Sequence, residues 1–381
     1  MKKCFSSLFV WGAIFSFYVP PLHGAAAAGP SAVPTRDNVR YVGAVGCQSS
    51  MCHGGASPSR DQFTIWSRED FHSRAYATLV TARSARIAES LGIVSATESA
   101  RCTTCHAPFA ALPPGDLAPT AHAVEGVSCE TCHNAAAGWL RGHTRPDWTY
   151  ADRLQAGLRD LRSAYVRAET CVACHQILDP AIVKAGHPEL IFELDGQDAS
   201  EPRHWTEKAD WFGPKAWLVG QAVALTSICT KLSLDSYDDS GSVAQQNALI
   251  WLLQQVPGVS PSEINKLSLP ITTAAWSNQL ARTISGQDWN SAKTRDTLAA
   301  LAATSGSFTD TSVPLPEREL RAERLVLGLD RLFKSLHPEP NAPGQAELSA
   351  LFAAVQDRDQ FNPKAFSTLL EKFAETVTPK K

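Results

Sequence analysis

Apolar positions follow two different patterns along this chain. From about residue 206 onward they recur at helical spacing. Leu325, Leu329, Leu332, Phe333 and Leu336 fall at i, i+4, i+7, i+8 and i+11, one face of a long helix. Phe366, Leu369, Leu370 and Phe373 repeat the pattern after Asn362-Pro363, which reads as N-cap and first helical position. Trp217 to Leu232 and Val243 to Gln255 read as further helices, and Ser260-Pro-Ser-Glu263 as a capping-box start. Between about residues 36 and 205 the apolar stripes are short and interrupted, which predicts short helices joined by loops.

The N-terminus has a third layout. Lys2 and Lys3 precede an almost wholly apolar run from Leu8 to Val19, then Pro20-Pro21 and the small residues Gly24 to Gly29. This order is that of a secretory signal peptide, with cleavage around Ala25 to Ala27. The run is about a dozen residues, short of the ~20 that a membrane helix needs. The expected organisation is a signal peptide over 1–27, a loop-rich domain of short helices over 36–205 and an all-helical domain over 206–381. The fold class is mainly α, and the mature protein is expected to be exported, with no integral membrane segment once the signal is removed.

Composition narrows the class without choosing a function. The 381 residues are 44% hydrophobic and 19% charged, with a formal net charge of -3. That is enough chain for two domains with their own cores and too apolar for a disordered protein. The near-neutral balance argues against nucleic acid as a partner.

Cysteine placement is what selects the chemistry. Eight of the ten cysteines form four pairs, each followed at once by histidine. They are Cys47-Gln-Ser-Ser-Met-Cys52-His53, Cys102-Thr-Thr-Cys105-His106, Cys129-Glu-Thr-Cys132-His133 and Cys171-Val-Ala-Cys174-His175. Three are Cys-x-x-Cys-His, the attachment signature of c-type haem, and the first carries two extra residues. Thiols at i and i+3 share one side of a helical turn, so both reach the porphyrin edge, and the adjacent imidazole turns under the ring to the iron. In the first motif the added residues can bulge out while the thiols still straddle that edge. Disulfides or zinc would explain paired cysteines but not a histidine abutting every second one, a coincidence of roughly one in a million. Cys229 stands alone and reads as a small buried apolar residue. The cofactor expectation is four haem c groups.

Second axial ligands follow by elimination. Apart from His23 in the signal segment and the four motif histidines, six of the eleven histidines remain. His72, His143 and His187 lie near motifs along the chain and lead as distal candidates; His122 and His204 follow, and His337 reads as structural. No methionine is a serious ligand, since Met1 leaves with the signal and Met51 lies inside the first motif, so each iron is bis-histidine or five-coordinate.

Gly126-Val-Ser-Cys-Glu-Thr-Cys-His133, Trp139-Leu-x-x-His143 and Ala185-Gly-His-Pro-Glu-Leu-Ile-Phe-Glu-Leu194 carry a resemblance to known proteins. The segment from about Tyr41 to Trp205 resembles the multihaem cytochromes c of the c-554 family. The resemblance implies a periplasmic, loop-rich helical domain whose haems pack closely and whose distal histidines come from remote parts of the chain. It also implies that one haem can lack a sixth ligand, with Cys102 to His106 as the counterpart here. From Trp217-Leu-Val-Gly-Gln221 onward the chain resembles a larger bacterial multihaem group, some of whose members carry a further motif that this half lacks. The function expected is electron transfer between periplasmic or membrane-bound redox proteins. The alternative is a multihaem reductase or oxidase of a small nitrogen or sulfur compound at an open iron. No residue is singled out as catalytic.

Overall fold

A computed structural model describes residues 40–175, 178–207, 209–234, 240–259 and 269–378. The expected signal segment 1–27 and the expected capping-box start at Ser260 to Glu263 lie outside the described residues. The architecture is mainly helical. Among the described residues there is no strand, only an isolated bridge between Tyr41 and Leu117.

The first half consists of short helices separated by turns. These are α1 (Gln62–Arg68), α2 (Ala75–Leu79), α3 (Ala82–Ser90), α4 (Ala100–His106), α5 (Cys129–His133), α6 (Tyr150–Gln155), α7 (Ala164–His175), α8 (Pro180–Lys184) and α9 (Leu194–Ser200). Local signals set their bounds. Thr81 caps α3 by accepting from Ser84 N–H, and Thr149 and Asp152 form a capping box at α6. At α8, Asp179 caps and Pro180 takes the first position.

Long helices then take over: α10 (Phe212–Leu232), α11 (Ser240–Gln254) and the helices Pro270–Ser285, Ser291–Ala302, Leu315–Leu336, Gln345–Val355 and Pro363–Val377. The helices read from periodicity around Trp217, Val243, Leu325 and Phe366 are all present. Asn362 caps the last, its side chain accepting from Ala365 N–H. Helix α10 is buried on nearly every side and is accordingly not amphipathic. It packs against α7, α9, α11 and the helices Pro270–Ser285 and Leu315–Leu336.

One apolar cluster runs through both halves. Ala164, Tyr165, Ala168 and Val172 of α7 and Phe192 and Leu194 join it beside Trp217, Leu225, Leu329, Phe333 and Phe373. The change of sequence character near residue 206 therefore coincides with no break in the core, and the described residues belong to one compact unit. Its consequence for the site is mechanical: α7 roots its apolar face in this core and presents Cys171, Cys174 and His175 at its C-terminal end. Cys229 is fully buried in the same cluster, with Gln246 Nε2 donating to its Sγ at 3.3 Å. A smaller cluster of Leu79, Ala88 and Ala96 packs against Cys102.

Close approach of two helices depends on Gly328. A Cβ there would lie 2.6 Å from the Trp217 ring, itself fully buried. Gly328→Ala is expected to lower unfolding free energy by about 1–3 kcal/mol through overpacking. Asn362→Ala should cost about 1 kcal/mol through the lost cap. Denaturant titration of the purified protein measures both.

Candidate cofactor site

The three Cys-x-x-Cys-His motifs each end a helix. Cys102 to His106 closes α4, Cys129 to His133 makes up α5, and Cys171 to His175 closes α7. The helical turn places both thiols on one side and carries the histidine beyond them. The expanded first motif reaches a related closure without being helical. Its ends are joined by His53 N–H donating to Cys47 C=O at 3.2 Å, and Cys52 N–H donates to Ser49 C=O at 2.8 Å. The intervening residues bulge outward, leaving Met51 73% exposed.

Each motif histidine faces one remote histidine. His53 faces His143 with ring centres 6.1 Å apart, and His106 faces His187 at 6.2 Å. His133 faces His204 at 6.3 Å, and His175 faces His72 at 6.0 Å. Thus His72, His143, His187 and His204 are each brought to a motif, and the Cys102–His106 motif has an imidazole opposite it like the others. His122 is not brought to any of them. It is exposed, and its backbone N–H donates to Glu125 at 3.1 Å at the head of a short turn. His337 stays in the C-terminal half, tilted against Phe333 at 4.8 Å.

Six of the eight facing imidazoles have Nδ1 engaged, which leaves Nε2 for the partner side. His53 Nδ1 bonds Gln62 Oε1 at 2.8 Å, and His187 Nδ1 bonds the Pro188 carbonyl at 2.8 Å. His143 Nδ1 is held by the Leu140 carbonyl and His204 Nδ1 by the Pro202 carbonyl at 3.4 Å. His106 Nδ1 meets Thr78 Oγ1 at 3.0 Å and the Ala75 carbonyl at 3.2 Å; the Thr78 hydroxyl is already donating to Ala75, so Nδ1–H is the donor. His72 Nδ1 lies 3.0 Å from Asp70 Oδ1 and 3.4 Å from Glu201 Oε1. Fixing Nδ1–H on an acceptor selects the tautomer whose other nitrogen can bind metal.

Electrostatics separates His72 from the rest. Burial pushes His133 down to about 4, with His204 and His53 adding to it, and burial lowers His106, His143 and His175. These imidazoles are neutral at pH 7, the form a metal requires. The hydrogen bond to Asp70, followed by that to Glu201, instead holds His72 up to about 10. Metal binding there would release the Nε2 proton and keep Nδ1–H on the carboxylates.

The motifs also adjoin one another. The Cys47 and Cys129 thiols interact, as do those of Cys105 and Cys174, while Cys132 lies near enough to Cys171 to add to the upward push that burial gives the Cys171 thiol. Two residues outside the sequence-based candidates fasten this arrangement. Glu130, buried inside the third motif, accepts from Val42 N–H at 3.0 Å, Gly43 N–H at 2.7 Å and Ala136 N–H at 2.6 Å. It so ties the strand of chain leading into the first motif to the third. Arg159 donates to the Thr131 carbonyl at 2.8 Å and to Thr170 Oγ1 at 3.4 Å, linking the third motif to α7. The glutamate between two motif cysteines was a visible signal; Arg159 had none.

Residues 46–134, which take in the first three motifs, match the model of the family described as cytochrome c554 and c-prime. Over these residues the chain is similar to that family, which supports a haem domain with covalently attached haem c and haem-based electron transfer. No curated protein and no solved structure matches the chain. Among the described residues no helix is long and apolar enough to cross a membrane.

Glu130→Ala would leave three buried or half-buried N–H groups without their acceptor. At about 1–3 kcal/mol for each orphaned group, the loss should exceed about 3 kcal/mol. Thermal unfolding measures it, and the yield of haem attached to the peptides containing Cys47 and Cys129 should fall together.

Proposed function

We propose that this protein is an exported carrier with four haem c groups that passes single electrons between periplasmic or membrane-bound redox proteins. The observation that carries the reading is the set of four facing histidine pairs. Two metal–imidazole bonds of about 2 Å plus half a ring on either side, about 1 Å each, span about 6 Å. All four pairs stand at 6.0–6.3 Å.

The residues to hold the groups follow from that geometry. Cys47 and Cys52 would anchor the first porphyrin, with His53 and His143 as axial ligands. Cys102 and Cys105 would hold the second with His106 and His187, Cys129 and Cys132 the third with His133 and His204, and Cys171 and Cys174 the fourth with His175 and His72. Haem iron supplies a one-electron couple, and bis-histidine ligation favours the lower part of its potential range. The protein's part is to fix the imidazoles and set their basicity. A second imidazole opposite every motif histidine supports a carrier over an open-site reductase or oxidase.

Thiol adjacency supports an order along the wire: first, third, fourth, second. Cys47 meets Cys129, Cys132 neighbours Cys171, and Cys174 meets Cys105. Exposed apolar side chains lie at both ends of that order. Met51 is 73% exposed at the first motif, and Val80 and Val94 are 67% and 100% exposed beside the cluster that touches Cys102. They offer contact surface for a donor at one end and an acceptor at the other. Lys2, Lys3 and the apolar run from Leu8 to Val19 support export.

Intact mass and pyridine haemochrome absorbance of the purified protein should give four haems per chain, and acid-acetone washing should leave the colour in place. Ferric spin resonance at low ionic strength should show low-spin signals, with little carbon monoxide bound after reduction. A colourless washed protein ends the proposal, and a predominantly high-spin haem moves it to the open-site enzyme. Asp70→Asn removes the carboxylate that makes His72 a more basic ligand; in spectroelectrochemistry the potential of one haem should rise.

A further inference from the structure

The turn that carries His187 is fastened differently from the segments carrying His72 and His143. Between residues 178 and 191 no side chain is buried, and none belongs to the apolar cores. Beside His72, by contrast, Asp70 is buried, and beside His143 both Trp139 and Gly142 are. His204 is followed by Glu207, which pairs with an Arg167 side chain only 11% exposed.

What holds the 178–191 segment is a set of cationic side chains reaching in from outside it. Lys231 Nζ donates to the Leu178 carbonyl at 2.9 Å, and Arg101 Nη2 to Asp179 Oδ2 at 2.5 Å. Arg83 Nη2 donates to the Gly186 carbonyl at 2.7 Å, and Arg358 Nη1 to Glu189 Oε2 at 2.6 Å. Gly186, at φ 108°, is in a conformation that glycine adopts freely, directly before His187. Arg83 and Arg101 belong to α3 and α4. Lys231 lies on α10, and Arg358 is itself fixed by Glu323 at 2.8 Å, on helix Leu315–Leu336. The two ion pairs are open to solvent: Arg101 and Asp179 are 36% and 41% exposed, Arg358 and Glu189 40% and 51%.

We propose that residues 178–191 form a releasable strap, in which Arg83, Arg101, Lys231 and Arg358 keep His187 opposite His106 and their loss opens that coordination position to a small neutral ligand such as carbon monoxide or nitric oxide. The inference rests on the reading of His187 as a haem ligand. A segment held mainly by exposed polar contacts, with Lys231 alone reaching it from a buried position, rather than by apolar burial belongs to the low-stability end of the structure and opens locally before the whole unfolds. Its ion pairs weaken as salt screens them. Arg358 and Lys231 also give the C-terminal half a role at this haem: its helices are the outer anchor of the strap.

The test uses the purified full-length haem protein, with haem content checked for each variant. Carbon monoxide binding to the ferrous form and the ferric high-spin signal are read at low ionic strength and at about 1 M salt, where the screening length is about 3 Å. In the wild type the carbon-monoxide-binding fraction of one haem should rise with salt. At low salt, Arg83→Ala with Arg101→Ala should raise it on the order of tenfold, and Arg358→Ala, far from any cysteine motif, by a smaller factor. His187→Gly should bind carbon monoxide fully at one haem, with added imidazole restoring the low-spin spectrum. If His187→Gly behaves so while the arginine variants match the wild type at both salt levels, the strap is overturned and the ligand reading stands. If His187→Gly keeps four haems and an unchanged low-spin spectrum, the ligand assignment itself fails.

Discussion

The interaction on which the rest of this structure depends is the pairing of imidazoles far apart in sequence, four pairs with ring centres 6.0–6.3 Å apart. His72 and His175 stand 6.0 Å apart, and His53 and His143 6.1 Å. Loops alone would not hold such gaps, because several of the paired histidines are carried by short segments with little apolar surface of their own. The structure meets the demand with a fixed mount and fastened loops. Helix α7 roots one motif in the core, and Glu130 and Arg159 join the motifs to one another and to the chain ahead of them.

The same economy explains the division of labour between the halves. A domain of short helices buries too little apolar surface to be rigid alone, so the long helices around α10 supply a continuous core that reaches back under α7, Phe192 and Leu194. The second half adds stiffness where electron transfer needs fixed ring positions, and it anchors the segment bearing His187 through Lys231 and Arg358.

Electrostatics follows the same logic at shorter range. Burial keeps His106, His133, His143 and His175 neutral. Asp70 and Glu201 do the opposite for His72, making it more basic than the other paired imidazoles. Among four otherwise similar imidazole pairs, a carboxylate behind one imidazole makes that pair electrostatically distinct.

Much of this was legible in the order of residues alone. Helical periodicity located the long C-terminal helices, because an apolar stripe at 3.6 residues per turn is a local property. The cysteine–histidine spacing marked the four motifs, because that spacing too is a local property of the chain. The partners of those motifs were beyond it. Nothing along the chain distinguishes His204, which faces His133, from His122, which caps an exposed turn. Nor does it show that Glu130 receives N–H groups from residues 42 and 43, or that arginines from three elements converge on the His187 turn. Those pairings join residues some 70 to 170 positions apart, and only the packing of the whole chain brings such residues within hydrogen-bonding or coordinating distance.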